Sequence, residues 1–225
     1  GAKNTVMDEV EGVLSALPFL VANARRQLGT RGDDPALPDL AGRRVLVLGG
    51  GDTAMDCVRS SLRLGAAEVT CAYRRDEAAM PGSHREVKNA REEGVRFLFN
   101  RQPLAIEGGL RTDGGRQATG VRLVETRSDG GRDRAAEAVA GSEQLVAADV
   151  VIQAFGFRAS PAPWWGEHGI AVDDAGRLRT AGPGGATSHP KVFAGGDNVR
   201  GADLVVTAVH DGREAGNAIA RRLLG

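Results

Sequence analysis

The chain has 225 residues, 41% of them hydrophobic, with 29 basic and 29 acidic side chains, so its formal net charge is zero. That length and apolar content suffice for at least one sizeable core and allow one or two domains. Balanced charge gives no general pull toward nucleic acid or an anionic membrane surface. No apolar run approaches the roughly 20 residues that span a bilayer, and no signal peptide opens the sequence. Neither a nucleic-acid nor a membrane partner is therefore expected, and the cytoplasm is the expected compartment. Two cysteines, Cys57 and Cys71, are too few for a disulfide framework or a cysteine-ligated iron–sulfur cluster, which takes about four thiolates. Both fall in or beside predicted core elements and read as buried small hydrophobes.

The opening stretch, GAKNTVMDEVEGVLSALPFL, begins without Met and shows no clear strand of its own. It suggests a longer polypeptide entered partway through. From Leu14 to Leu28 apolar residues recur at helical spacing, with Arg25 and Arg26 late and Gly29 as a stop. A Gly/Asp/Pro-rich linker follows, to about Asp39.

Val45-Leu46-Val47-Leu48 has the character of a strand buried on both faces. Gly49, Gly50 and Gly51 break it, Thr53 to Leu64 reads as a helix ending at Gly65, and Glu68 to Tyr73 supplies a second strand. In a dinucleotide-binding βαβ unit the first glycine permits the tight turn and the second lets backbone approach a pyrophosphate. The third position must be small so that helix and strand can pack. Gly49, Gly51 and Ala54 fit that G-x-G-x-x-A spacing, and the helix N-terminus would then face the diphosphate with its free N–H groups. An ordinary strand-to-helix turn is the alternative.

The residues after the second strand bear on which nucleotide would bind. An acidic residue there suits the ribose 2′-OH of NADH, whereas arginine suits the 2′-phosphate of NADPH. Arg74 and Arg75 stand at that place, so NADPH is preferred; surface ion pairs with Asp76 and Glu77 are the competing explanation. Arg85 is a third candidate for the phosphate, and His84 reads as an exposed or satisfied histidine rather than a base.

Val95 to Phe99 is a further predicted strand. Residues 104 to 147 alternate apolar and polar runs with breaks at DGG and SDGG, the pattern of a small antiparallel meander. Val150 to Ala154 returns to a buried strand ending in Gly156, where backbone could again approach a ligand. Late in the chain come a strand from Lys191 to Ala194, the turn Gly195-Gly196, Asp197, and a helix from about Leu204 with small residues Ala208, Gly212, Ala215 and Gly216 on close-packing faces. Asp197 alone could be only a helix cap or turn residue. Trp164 and Trp165 are expected to be ordinarily buried, with an interface as the alternative.

The stretches VLGGGDTAMDC, TCAYRRDEAAMPGSHREVKNAREEGVRFLFNRQPL, VIQAFGF and VFAGGDNVRGADLVVTAVHDGREA together resemble the small (beta) subunit of NADPH-dependent glutamate synthase and related FAD/NADPH oxidoreductases, among them the flavin part of dihydropyrimidine dehydrogenase. The resemblance implies an NADPH domain inserted into an FAD domain. Hydride passes from nicotinamide to flavin, and single electrons then go through iron–sulfur clusters to a partner active site, here glutamate synthesis from glutamine and 2-oxoglutarate. It implies that Gly49, Gly50, Gly51, Asp52 and Thr53 hold the NADPH diphosphate and that Arg74 and Arg75 hold its 2′-phosphate. Gly195, Gly196 and Asp197 would hold FAD, and the helix start at Val205, Val206 and Thr207 would face the flavin ring. No side chain need act as acid or base.

The family's first FAD fingerprint and its cysteine-rich cluster domain would precede this sequence, so the chain is expected to be a fragment with an incomplete FAD site. The clusters are expected in that missing region or in a partner. The partner would be the large (alpha) subunit or another terminal reductase; a non-enzymatic NADPH-binding module is a further alternative. The expected fold is α/β, a doubly wound Rossmann-type NADPH domain with an antiparallel meander over residues 17–160, flanked by FAD-domain pieces at 1–16 and 161–225.

Overall fold

The computed structural model describes residues 10–30, 37–127, 136–182 and 184–224. The expectations placed on the first nine residues, on most of the linker and on the SDGG break fall outside the described residues. The chain divides into two compact units, residues 1–156 and 157–225.

In the first unit the chain runs β1 (Val10–Glu11), β2 (Val13–Ser15), α1 (Ala16–Leu28), β3 (Arg44–Leu48), α2 (Asp52–Arg63), β4 (Glu68–Ala72), α3 (His84–Glu92), β5 (Arg96–Leu98), β6 (Arg101–Leu110), β7 (Arg116–Arg127), β8 (Glu137–Ala138), β9 (Gln144–Ala147) and β10 (Val150–Gln153). A parallel sheet has the order β2-β10-β3-β4-β5. Its central strand reads as it packs. Val45 and Val47 join one apolar cluster, with Ala54, Met55, Cys57 and Val58 of α2 and with residues of α1 and α3. Leu46 and Leu48 point the other way, into a second cluster with Ala118, Val121 and Leu123 of β7. All four β3 residues from Val45 to Leu48 are at most 2% exposed. Burying a side chain of this kind stabilises by about 1.5–3 kcal/mol, and a two-sided burial requires the unbroken apolar run that the sequence carries.

Helices thus cover one face of the parallel sheet and an antiparallel sheet covers the other. That second sheet is the expected meander. The long strand β7 pairs antiparallel with β6, β9 and β8, and its residues Arg116 and Gln117 pair parallel with β1. The DGG break is the turn between β6 and β7, where Asp113 Oδ1 accepts from Gly115 N at 3.0 Å.

Four elements of the first unit differ from the sequence expectation. Residues 10–15 are two short strands where no clear strand was expected, and α1 starts at Ala16 rather than Leu14. Their partners, Arg116 in β7 and Val151 in β10, lie far along the chain. The predicted stop at Gly29 holds, with φ 66 and with N–H groups of Gly29 and Thr30 returning to Arg26 O and Arg25 O. Helix α3 was not anticipated. It buries only Val87 and Ala90 and is tied to α2 by charge: Arg59 pairs with Glu86 and, at 2.7 Å, with Glu93.

The second unit contains α4 (Pro163–Glu167), α5 (Asp197–Arg200) and α6 (Val205–Leu224). In place of the strand expected at Lys191 to Ala194, the described residues show a single bridge there, Phe193 to Ala186, alongside bridges Val172 to Leu178 and Thr180 to Thr187. Helix α6 approaches the glycine turn through small side chains: a Cβ on Gly195 would lie 2.7 Å from Asp211 Cβ, and one on Gly196 would lie 3.2 Å from Ala208 Cβ. Trp164 is 48% exposed, against the expectation of ordinary burial; its five-residue helix offers no buried face, and the ring meets Trp165 edge-on at 6.1 Å.

Candidate functional site

The chain advances from β3 to β4 to β5 on one side of the parallel sheet, while β10 and β2 lie on the other side of β3. Strand order therefore reverses between β3 and β10, and a crevice opens beyond the carboxyl ends of strands at such a point. A cleft of about 470 Å³ is found there. Its lining comes from the end of β3 (Gly49, Gly50, Gly51), the start of α2 (Thr53), the end of β4 (Ala72 to Arg75), the start of β6 (Arg101 to Pro103) and the end of β10 (Ala154 to Gly156).

The three glycines have different tasks. Gly49 has φ +147, and a Cβ on it would sit 2.2 Å from the Ala154 carbonyl oxygen, so neither its conformation nor its space admits a side chain. A Cβ on Gly50 would lie 2.5 Å from the Tyr73 ring. Gly51 caps α2 at φ −88, and the nearest atom to a Cβ there is Pro81 Cγ at 3.9 Å. The glycine that borders open space is thus the one at the helix N-terminus, where first-turn N–H groups have no intrahelical acceptor. Ala54, the small position of the motif, is fully buried under the sheet.

The loop after β4 closes over this turn. Tyr73 donates its hydroxyl to Ala79 O at 2.9 Å, Gly82 N donates to Gly50 O at 3.0 Å, and Ser83 N donates to Asp52 Oδ1 at 2.8 Å. Asp52 therefore spends one carboxylate oxygen on the loop beside the turn. Burial, with Glu86 and Asp52 nearby, pushes the Asp56 carboxyl one helical turn on above its ordinary value. Arg74 is exposed and Arg75 is 7% exposed, and both line the cleft. The acidic neighbours have other engagements: Glu77 pairs with Arg91 at 2.9 Å, and Asp76 Oδ1 accepts from Ala79 N at 2.9 Å.

Of the residues singled out from sequence, Gly49, Gly50, Gly51, Thr53, Arg74, Arg75 and Gly156 are brought together in the cleft. Arg85 is not among its lining residues; its side chain is 83% exposed and approaches Glu86 at 3.7 Å. In the second unit Gly195, Gly196, Asp197 and Val205 line a separate pocket of about 410 Å³ with Ala208 and Gly212. Val206 and Thr207 follow in the first turn of α6, where Thr207 N donates to Leu204 O at 3.0 Å. Asp211 braces this turn by accepting from Gly196 N, Arg200 Nε and Arg200 Nη2, and the Arg200 guanidinium holds its carboxyl far below the usual carboxylate range. Sequence reasoning did not single out Tyr73, Arg101 or Phe155 as cleft residues. No local pattern marks Arg101: the backbone bonds that place it, from Arg101 N to Tyr73 O and from Asn100 N to Arg75 O, join segments more than twenty residues apart.

A glycine turn feeding a helix N-terminus where strand order reverses, with arginines at the tip of the next strand, defines a dinucleotide-binding α/β domain. Comparison with known proteins agrees. The family model described as pyridine nucleotide-disulphide oxidoreductase matches residues 1–212, and the chain belongs to that family. It is 53% identical over 219 residues to the glutamate synthase (NADPH) small chain of Halomonas elongata, covering 94% of this chain and 45% of that one. It is likewise 53% identical over 223 residues to the protein of that name from Escherichia coli, covering 94% and 46%. The chain thus spans about half the length of these curated relatives. Among solved structures, thioredoxin reductase of T. acidophilum superposes with a TM-score of 0.69 at 20% identity, over 96% of this chain and 59% of that one, which is a likeness of fold.

Proposed function

We propose that this chain is the NADPH-binding part, with a portion of the FAD-binding part, of an oxidoreductase subunit. In the whole protein hydride passes from NADPH to FAD, and electrons go on through iron–sulfur clusters to a partner large chain that makes glutamate from glutamine and 2-oxoglutarate. The single observation that carries the NADPH half is the cleft itself, which combines an open glycine at a helix N-terminus with Arg74 and Arg75 at the next strand's tip. The glutamate half is supported by the names of the relatives.

When bound, the two nucleotides would supply the redox chemistry, a hydride transfer from NADPH to FAD. The chain's own residues bind and orient. Gly51, Asp52 and Thr53 present first-turn N–H groups of α2 to the diphosphate, with the positive end of the helix dipole behind them. Arg74 and Arg75 meet the 2′-phosphate with charge-assisted hydrogen bonds. Gly156, after β10, has open space where a Cβ would stand and lines the cleft on the side of β3 away from β4. In the second unit Gly195, Gly196 and Asp197 would hold FAD, and the first turn of α6 at Val205, Val206 and Thr207 would stabilise negative charge on a reduced ring. None of these residues needs to carry a proton.

Calorimetric titration of the chain with NADPH and then NADH tests the assignment. The expected result is a clear preference for NADPH that falls steeply when Arg74→Ala and Arg75→Ala are combined. Equal affinity for the two nucleotides in the unsubstituted chain would refute it.

A further inference from the structure

The tip of β4 does not stand alone at the cleft. Asn100 N donates to Arg75 O at 2.9 Å and Arg101 N donates to Tyr73 O at 2.9 Å, so the turn between β5 and β6 is laced directly onto the two-arginine segment. Thr126 completes the knot, donating its N–H to Asn100 O at 3.0 Å and its hydroxyl to Arg74 O at 2.7 Å. Asn100 adopts φ 52, the single non-glycine residue with positive φ among the described residues. Such a conformation persists where the surroundings over-determine it. The residue that follows it, Arg101, lines the cleft.

The guanidinium of Arg101 has few partners within the chain. Its Nη1 donates to Asn100 O at 2.9 Å, its Nη2 stands 3.7 Å from the Glu125 carboxylate, and the side chain is 27% exposed. A guanidinium has five N–H donors, so these contacts leave donors available to a ligand. The position within the cleft follows from the sheet. β5 flanks β4 on the side away from the glycine turn. Arg74 and Arg101 both line the cleft on that side, so they would be the residues available to the adenosine end of a dinucleotide held by its diphosphate at α2. Glu125, 44% exposed and loosely paired, is a weak competitor for that guanidinium. A phosphate monoester dianion is a stronger one.

We propose that Arg101 is a third specificity residue of the cleft, binding the 2′-phosphate of the nucleotide beside Arg74, with Glu125 as the counter-ion the phosphate displaces. The proposal rests on the NADPH assignment above. Its test is titration of the chain with two probes, 2′,5′-ADP and 5′-ADP, which differ only in the 2′-phosphate. The unsubstituted chain is expected to prefer 2′,5′-ADP. Arg101→Gln keeps a donor for Asn100 O and is expected to lower the affinity for 2′,5′-ADP about tenfold while changing that for 5′-ADP by less than about twofold. Glu125→Gln removes the competing carboxylate and is expected to raise the 2′,5′-ADP affinity about two- to fivefold. A merely structural role for Arg101 would weaken both probes together, and that outcome overturns the proposal, as does an unchanged preference in Arg101→Gln. If Arg101→Gln does not fold, an unchanged 2′,5′-ADP affinity in Glu125→Gln overturns it instead. Equal affinity for the two probes in the unsubstituted chain removes the NADPH assignment itself, and the Arg101 proposal with it.

Discussion

Replacing each of the first and third glycines of the turn by alanine separates a folding role from a binding role within three residues. At Gly51 the new Cβ meets nothing closer than 3.9 Å, and the backbone at φ −88 is ordinary for any residue. Alanine is a poorer N-cap than glycine by about 0.5–1 kcal/mol, while the stiffer unfolded chain returns about 0.4–1 kcal/mol. The net change in stability is therefore near zero. The same methyl group, however, occupies the open space through which a diphosphate would approach the first-turn N–H groups. Overpacking of that kind costs about 1–3 kcal/mol, which is about a 5- to 150-fold loss of NADPH affinity. At Gly49 the Cβ would lie 2.2 Å from Ala154 O, and both chain segments are pinned, Gly49 N to Ala72 O at 3.0 Å and Ala154 N to Leu48 O at 2.8 Å. Gly49→Ala is therefore expected to cost more than about 3 kcal/mol of stability. Denaturant midpoints and calorimetric titration, run on both variants, read the two roles separately. Wild-type NADPH affinity in a fully folded Gly51→Ala would refute the assignment of that amide cradle to the diphosphate.

Two further outcomes follow from the buried and paired groups. Burial pushes the thiols of both Cys57 and Cys71 up to about 12, so neither is expected to react with a disulfide reagent in the native chain at pH 8, and both are expected to react at the unfolded rate in denaturant. Fast labelling of the native protein would show that the α2/β4 core opens. The Arg44 guanidinium, hydrogen-bonded to Asp149, holds that carboxyl down at about 2, against an ordinary 3.8. A carboxylate depressed on folding contributes stability above its unfolded value and loses it as pH falls toward its folded one. Asp149→Asn is thus expected to cost about 1–2 kcal/mol at neutral pH, with the gap to the unsubstituted chain closing between about pH 4 and pH 2. A pH-independent gap would contradict the ion pair's role in joining β10 to β3.

What the sequence revealed depended on how local the cause was. The run Val45 to Leu48, the glycine turn and the buried Ala54, Met55, Cys57 and Val58 of α2 are neighbours in sequence and in space, so period and composition sufficed. Strands β1 and β2 were missed because two- and three-residue segments have no period, and what makes them strands is pairing with β7 and β10, more than a hundred residues on. Helix α3 was missed because most of its face is charged and its anchoring comes from Arg59 on another helix. Arg74 and Arg75 were legible as types at a spacing. Arg101 was not, because its place at the cleft is set by hydrogen bonds to Tyr73 and by the backbone of Asn100. Trp164 shows the reverse limit: hydrophobicity argued for burial, and a short helix without a buried face leaves the ring 48% exposed.

The most direct measurement is amide chemical-shift mapping of the isotope-labelled chain during titration with NADPH. Saturable shifts are expected at Gly49 to Thr53, Ala72 to Arg75, Arg101, Gln102 and Ala154 to Gly156, with residues 195–212 of the second unit unmoved. Shifts centred on the second unit, or none at the glycine turn, would contradict the NADPH assignment.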